Sequence, residues 1–236
     1  MKASILYLYY DFLNLYGDNG NVRILEKRLK DQGFDVEIVR KTVTDDDISF
    51  EGFDLIYCGS GTESRRAAAT AHLKRFGKGF KDAVSSGTPI LFTGNAWGML
   101  GKSITTLTGE KIEGLGIFDF DLKEEIKKRF TGDAVETAEG FDKPFIGFIN
   151  NCDVIEGFDG YMFKITKTIG QIPGNSDGVR KENLFGISLI GSVLVKNPFF
   201  ADHIVKLITE RRKAEFKSIF YKYEERSYEM TLRALT

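Results

Sequence analysis

The chain has 236 residues, 42% of them apolar, enough to bury a sizeable core in one large domain or two small ones. Its net charge of −1 gives no global attraction to nucleic acid or to an anionic membrane surface. Two cysteines, Cys58 and Cys152, cannot make a disulfide framework, and no apolar run approaches transmembrane length, so a disulfide scaffold and a membrane-inserted protein are excluded. A reducing cytoplasm is the expected setting. Residues 1–16, interrupted by Asp11 and Asn14, lack the pattern of a signal peptide, and no motif calls for a metal or a cofactor.

Residues 4–10, rich in Tyr, Leu and Ile, read as a buried first strand. Residues 11–21 gather Asp, Asn and Gly as at a turn before a helix, and Asn21 is placed to cap the helix carrying Ile24, Leu25 and Leu29. Gly33 ends that helix. Residues 36–39 and 54–58 read as the second and third strands, and the alternation predicts an α/β fold with a mostly parallel sheet. Gly59-Ser60-Gly61-Thr62 follows the third strand directly, where open α/β sheets bind ligands, although a plain turn needs the same small residues. One helix is predicted over residues 66–85, with Leu73, Phe76, Phe80 and Val84 on one face, then a fourth strand at 90–93.

The stretch Pro89 to Gly101 is the centre of the reading. An apolar strand ends in Gly94-Asn95-Ala96, and a helix-like segment containing Trp97 follows. Many α/β enzymes hold a nucleophile at such a sharp turn, where backbone N–H groups and a helix N-terminus stabilise an oxyanion. Here Gly94 stands at the tip, so the turn carries no nucleophile. Trp97 reads either as a core anchor or as a lid over a ligand.

Past Gly101 the pattern changes. Residues 129–137, 144–149 and 161–168 read as strands in a mainly antiparallel arrangement, and 170–178 as a loop. Residues 184–195 read as two short strands around Gly191, and Asn197-Pro198 opens a long helix with Ile204, Val205, Leu207 and Ile208 at helical spacing.

The run Asp11-Phe12-Leu13-Asn14-Leu15-Tyr16-Gly17-Asp18-Asn19-Gly20-Asn21 is similar to a D-x-L-N-x-Y-G-D-x-G-N pattern. Gly59-Ser60-Gly61, Gly101, Ile112-Glu113-Gly114-Leu115-Gly116, Gly147-Phe148, Asn150, Asp177-Gly178, Gly186 and Lys196-Asn197-Pro198 extend the match over residues 6–208. In this order the chain resembles class I glutamine amidotransferases of the cobyric acid synthase branch, and within it the amidotransferase subunits of lipid II isoglutaminyl synthases. The resemblance implies a flavodoxin-like three-layer α/β sandwich and a Mur-ligase-like protein partner. It also implies a Cys in a C-G-G-x-Q turn, matched here by residues 94–98, and a His in G-x-x-x-H-G, matched by residues 186–191. Gly94 then stands for the thiol, Gly98 for a glutamine-contacting side chain and Ile190 for the imidazole. Asn151 departs from an N-H pair. A thiolate attack on a carboxamide needs both missing groups.

The ligand pocket is expected around Gly59, Ser60, Gly61, Gly94, Asn95, Ala96, Trp97, Asn150 and Asn151, widened by the absent side chain at Gly98. Cys58 reads as a small core residue, with a stand-in nucleophile as the alternative; His72 and His203 read as packing or surface residues. Family members of this branch end near the helix after Asn197-Pro198, so the chain is divided into a domain of residues 1–208 and a helical extension of residues 209–236. Phe216, Ile219, Phe220 and Tyr223 have the spacing of an apolar helical stripe, either packed on the domain or docking a second copy or a partner subunit. Two functions are carried forward. One is a binding or regulatory subunit, without glutaminase activity, of a Mur-ligase-like or cobyric acid synthase-like system. The other is an amidotransferase that supplies ammonia to a peptidoglycan or corrin carboxylate through a nucleophile such as Cys58.

Overall fold

The computed structural model describes residues 1–125, 127, 129–172 and 174–236. Its first part alternates as the apolar pattern requires: β1 (Lys2–Leu8), α1 (Asn19–Asp31), β2 (Asp35–Lys41), β3 (Leu55–Cys58), α2 (Glu63–Lys74), α3 (Gly77–Ser85) and β4 (Ile90–Thr93), then a 3₁₀ turn over Gly94–Leu100. The strands β5 (Ser103–Thr105), β6 (Lys111–Glu113), β7 (Asp121–Glu124), β8 (Phe130–Ala138), β9 (Phe145–Asn151), β10 (Asp153–Ile155) and β11 (Phe163–Gln171) follow. The chain closes with β12 (Ser176–Asp177), β13 (Val179–Lys181), β14 (Leu184–Ile187), β15 (Leu189–Ile190), α4 (Val193–Lys196), α5 (Pro198–Arg211) and α6 (Lys222–Leu235).

Among the described residues the strands form three sheets. The central one has the order β13-β14-β4-β3-β1-β2, parallel except for β13. Alternate residues of β1 enter different cores. Ile5 and Tyr7 pack with Leu25, Leu29 and Ile204 of α1 and α5, whereas Leu6 and Leu8 pack with Leu73, Phe80 and Val84 of α2 and α3. A sheet buried on both faces by helices is the predicted three-layer α/β sandwich. The antiparallel sheet β12-β11-β8-β9-β15 lies beside it, and a small sheet β10-β7-β5-β6 completes the fold.

Several local expectations are corrected. Asn21 does not cap α1; it is buried, and its side chain bonds Tyr57 Oη, the Gly191 carbonyl and the Leu194 N–H. The single helix over 66–85 is two, because the Gly77 and Gly79 region breaks it after Lys74. Both short strands near Gly191 precede it, and α4 follows. Ser176–Asp177 in the predicted loop pairs with β11, while Pro173 of that loop lies outside the described residues.

The stripe near the C-terminus is not helical either. Residues 214–221 are irregular and α6 begins at Lys222. Phe216 packs on the core, whereas Phe220 and Tyr223 are 77% and 83% exposed. The helix returns to the domain through another face: Tyr228 and Leu235 pack with Val135 and Ile146, and Tyr228 Oη donates to the Pro144 carbonyl at 2.8 Å. Glu224 closes on the buried Arg28 guanidinium, which also holds Asp202. One such buried aromatic is worth roughly 1.5–3 kcal/mol.

The two larger sheets are tied by Asn197, fully buried at the start of α5. Its side chain accepts from the Ile146 N–H at 2.8 Å and donates to the Ile146 and Val193 carbonyls at 2.9 Å. Asn197→Ala strands both backbone groups of Ile146, and is expected to cost about 2–4 kcal/mol in urea unfolding.

His203 packs against Phe141, Phe185 and Phe200. Burial, helped by the charges of Arg180 and Lys206, lowers it from 6.5 to about 4. Between these values the unfolded chain binds more protons than the folded one, so stability falls as pH falls from 6.5 toward 4. His203→Leu should flatten that part of the stability–pH curve, measured by urea melts at neutral pH and near pH 4.5, relative to the parent.

Candidate functional site

The sheet order places β1 and β3 side by side with their helices on opposite faces, the arrangement that opens a crevice at the C-terminal strand ends. Three loops meet there. The Leu15 N–H donates to the Ser60 carbonyl at 3.0 Å, joining the loop after β1 to the loop after β3. Asp18 is fully buried and accepts from Ser60 Oγ at 3.0 and 2.9 Å, from Thr93 Oγ1 at 3.2 Å and from the Tyr16 N–H at 3.2 Å. Burial raises its carboxyl above the usual range, against these hydrogen bonds.

Gly94 sits at the tip of the turn with φ +58°, a conformation that costs glycine little. A Cβ built on it would stand 2.4 Å from Ser60 Cβ, 3.0 Å from Ser60 Oγ and 2.9 Å from Ile190 Cγ2. The predicted neighbours Gly94 and Ile190 are therefore in contact, at the C-terminal edge of the central strands and beside Gly59-Ser60-Gly61. The space over the turn is occupied by Ser60 and Ile190.

Asn95 spends both ends of its amide on the loop after β3, accepting from the Gly61 N–H at 3.2 Å and donating to the Gly61 carbonyl at 2.8 Å. That N–H is thereby withdrawn from any oxyanion. Ala96 is core. Trp97 is a buried anchor, with Nε1 donating to Ser188 Oγ at 2.7 Å and the ring edge-on to Phe120 at 5.3 Å. The expected widening at Gly98 is not found. A Cβ there would meet Leu122 Cδ1 at 2.6 Å and Arg66 Nη1 at 3.2 Å.

Asn150 and Asn151 diverge, as successive strand residues must. Asn150 joins the crevice, donating to Tyr16 Oη at 2.9 Å and accepting from Arg129 Nε at 2.8 Å; Arg129 in turn pairs with Glu63 at 2.8 Å. Asn151 lines a separate cavity together with Trp97 and Ser188. The residues grouped by sequence thus split between a closed turn, its rim and a neighbouring cavity.

No stand-in nucleophile is prepared. Cys58 is fully buried, and burial, reinforced by Asp18, pushes its thiol well above the ordinary value. Burial likewise pushes Cys152 up to about 12. Activation would need the opposite shift. His72 is committed to Tyr9 Oη and the Asp45 carbonyl, each at 3.0 Å, and His203 to its aromatic cluster.

Sequence reasoning gave Arg66 no role beyond starting a helix, because nothing local marks its partners. It is fully buried and donates to Asp153 at 2.5 and 2.8 Å, to Glu124 at 2.6 Å and to the Asn95 carbonyl at 3.0 Å, so it fixes the turn from below. Asp18 was visible as part of the long motif, but its function as the hub of three loops was not.

The sequence profile of the CobB/CobQ-like glutamine amidotransferase domain matches residues 4–197. The chain is 32% identical over 224 residues to the lipid II isoglutaminyl synthase (glutamine-hydrolyzing) subunit GatD of Staphylococcus aureus, covering 92% of this chain and 88% of that protein. It is 25% identical over 219 residues to the GatD subunit of Streptococcus pneumoniae, covering 89% and 82%. Among solved structures it is similar in fold to PurLQS from Thermotoga maritima, with TM-score 0.56, 15% identity and coverage of 89% of this chain and 99% of that one. A glutamine amidotransferase from Thermotoga maritima gives TM-score 0.54 at 11% identity, covering 99% and 94%. The motif order, the sheet topology and these matches agree, and the chain belongs to the CobB/CobQ-like glutamine amidotransferase family, with the class I amidotransferase fold.

Proposed function

We propose that this chain is an amidotransferase-like subunit that has lost glutamine hydrolysis and acts by binding or regulation in a lipid II amidation system. The observation that carries the reading is the filled turn. Where a nucleophile would project, Ser60 and Ile190 leave no room for even a Cβ on Gly94. The two GatD relatives, whose names describe glutamine-hydrolysing subunits of lipid II isoglutaminyl synthase, support the system to which it belongs. A Mur-ligase-like protein is the partner class, and the exposed Phe220 and Tyr223, followed by Met230 on α6, are the surface offered for contact after the domain of residues 1–208. Self-association through the same surface is the competing arrangement. The alternative of an active amidotransferase using Cys58 is disfavoured by the burial of that thiol and by the absence of an imidazole among its described partners.

Purified protein should release no ammonia from glutamine above the uncatalysed rate, alone or with a Mur-ligase-like partner. Turnover abolished by Cys58→Ser would overturn the proposal.

The packing also predicts the outcome of restoring a thiol. Gly94→Cys alone should destabilise the fold by about 2–4 kcal/mol, because a side chain is forced into a left-handed backbone and into Ser60. That loss should be read in urea melts. Thiol titration should then find one newly reactive group in the native protein, with Cys58 and Cys152 reacting only after unfolding.

A further inference from the structure

The cavity beside Trp97 has a volume of about 1180 Å³ and lies between the antiparallel sheet and the strand β10. One wall is aromatic. Trp97, Phe120, Phe158 and Tyr161 form a chain of edge-to-face contacts at 5.3, 5.2 and 4.9 Å, and of these Trp97, Phe158 and Tyr161 line the space. The other lining is acidic. Glu139, Asp159 and Asp177 make no ion pair among the described residues, against Lys164 as a lining cation. Asp153, also in the lining, is already neutralised by Arg66.

Asp177 is buried and held in place, accepting from the Ser188 N–H at 2.9 Å. Ser188 Oγ in turn accepts from Trp97 Nε1, so wall and carboxylate are fixed relative to each other. Behind Asp177, outside the cavity lining, stands Glu136, fully buried and paired with the Asp177 carboxyl. Burial raises both carboxyls above their usual range; the Asp177 charge and the hydrogen bond between the two raise Glu136 further, while that bond and those from Ser188 and Gly178 act to lower Asp177, so Glu136 holds the proton and Asp177 is the charged member. A buried carboxylate without a cation is unfavourable by several kcal/mol in a low-dielectric interior. Elsewhere the chain meets this problem with its own cation: Arg66 serves Asp153 and Glu124. For Glu136 and Asp177 no internal cation does so among the described residues.

We propose that this cavity binds an organic cation, an ammonium or guanidinium group on an apolar stem, with the charge seated against Asp177 and the stem against the aromatic wall. Both halves of the chemistry favour such a ligand: carboxylates attract the charge, and aromatic faces attract a cation and bury its stem. The site is distinct from the turn at Gly94, and the inference stands whether or not that turn is catalytically inert.

Trp97 is the chain's one tryptophan, so its fluorescence reports this cavity alone. Benzylamine should change that fluorescence saturably, while its uncharged counterpart benzyl alcohol should bind at least about tenfold more weakly, the loss expected for one charge-assisted contact. Asp177→Asn should weaken benzylamine by a similar factor, with folding checked by circular dichroism. If Asp177→Asn does not fold, the ratio of the benzylamine and benzyl alcohol midpoints in the parent decides. Equal affinity for benzylamine and benzyl alcohol, an unchanged benzylamine midpoint in folded Asp177→Asn, or no response to benzylamine at all would each overturn the proposal.

Discussion

Asp18 is a buried carboxyl without a cation among the groups that act on it, and the crevice is arranged around supplying it with hydrogen bonds. Ser60 and Thr93 reach it from the ends of β3 and β4, and the Tyr16 N–H reaches it from its own loop. Thr93 Oγ1 is 2.8 Å from Tyr57 Oη, and Asn21 donates to that same phenol oxygen at 2.8 Å. Asn21 also holds the Leu194 N–H and the Gly191 carbonyl. A continuous polar chain therefore runs from the Gly191 loop through α1, β3 and β4 to Asp18. Such chains polarise their members and are unfavourable to break at any one link.

The same chain explains why the eleven-residue motif is so specific. Asn14 Oδ1 accepts from the Asn19 N–H, Tyr16 Oη accepts from Asn150, and Asp18 and Asn21 are the two ends of the polar chain. At Gly20 a Cβ would sit 2.0 Å from Ser192 Oγ, so the helix start can approach the following loop only as glycine. These residues position loops; none depends on a thiol at position 94. The loops are thus held without any side chain at position 94, and Ser60 and Ile190 pack directly over Gly94.

What could be read from the sequence follows from the range of the forces involved. The parallel strands and their helices were legible because burial on both faces writes continuous apolar runs into β1, β3 and β4. The adjacency of Gly94 and Ile190 was legible only through the family pattern. The packing over the turn was not, because it depends on two side chains, Ser60 and Ile190, that lie 34 and 96 positions from Gly94. The irregular path over residues 214–221 was missed for a related reason. The spacing of Phe216, Ile219 and Phe220 fits a helix, but the chain there is tied across the surface, with the Lys217 N–H and carbonyl both bonded to Gln32. Tertiary contacts outweigh a weak local propensity.

The two buried acidic clusters show how differently the fold can treat one chemical problem. At Arg66 the guanidinium fork satisfies two carboxylates and a backbone carbonyl together, and the carboxylates raise the tendency of Arg66 to stay charged despite its burial. Both Nη atoms of the fork are engaged: Leu122 and Gly98 pack beside them, and the Leu107 N–H takes the remaining Glu124 oxygen at 3.0 Å. Removing one partner of such a buried network strands the others, so its role is to fix the turn and the small sheet relative to each other. At Glu136 and Asp177 the same two acidic groups lack the fork, and the side not occupied by protein opens into a cavity. A cluster designed only for stability would be expected to resemble the first. The second leaves the Asp177 carboxyl without a cation next to a solvent-accessible space, and in physical terms that arrangement gains most from a cation that arrives from outside.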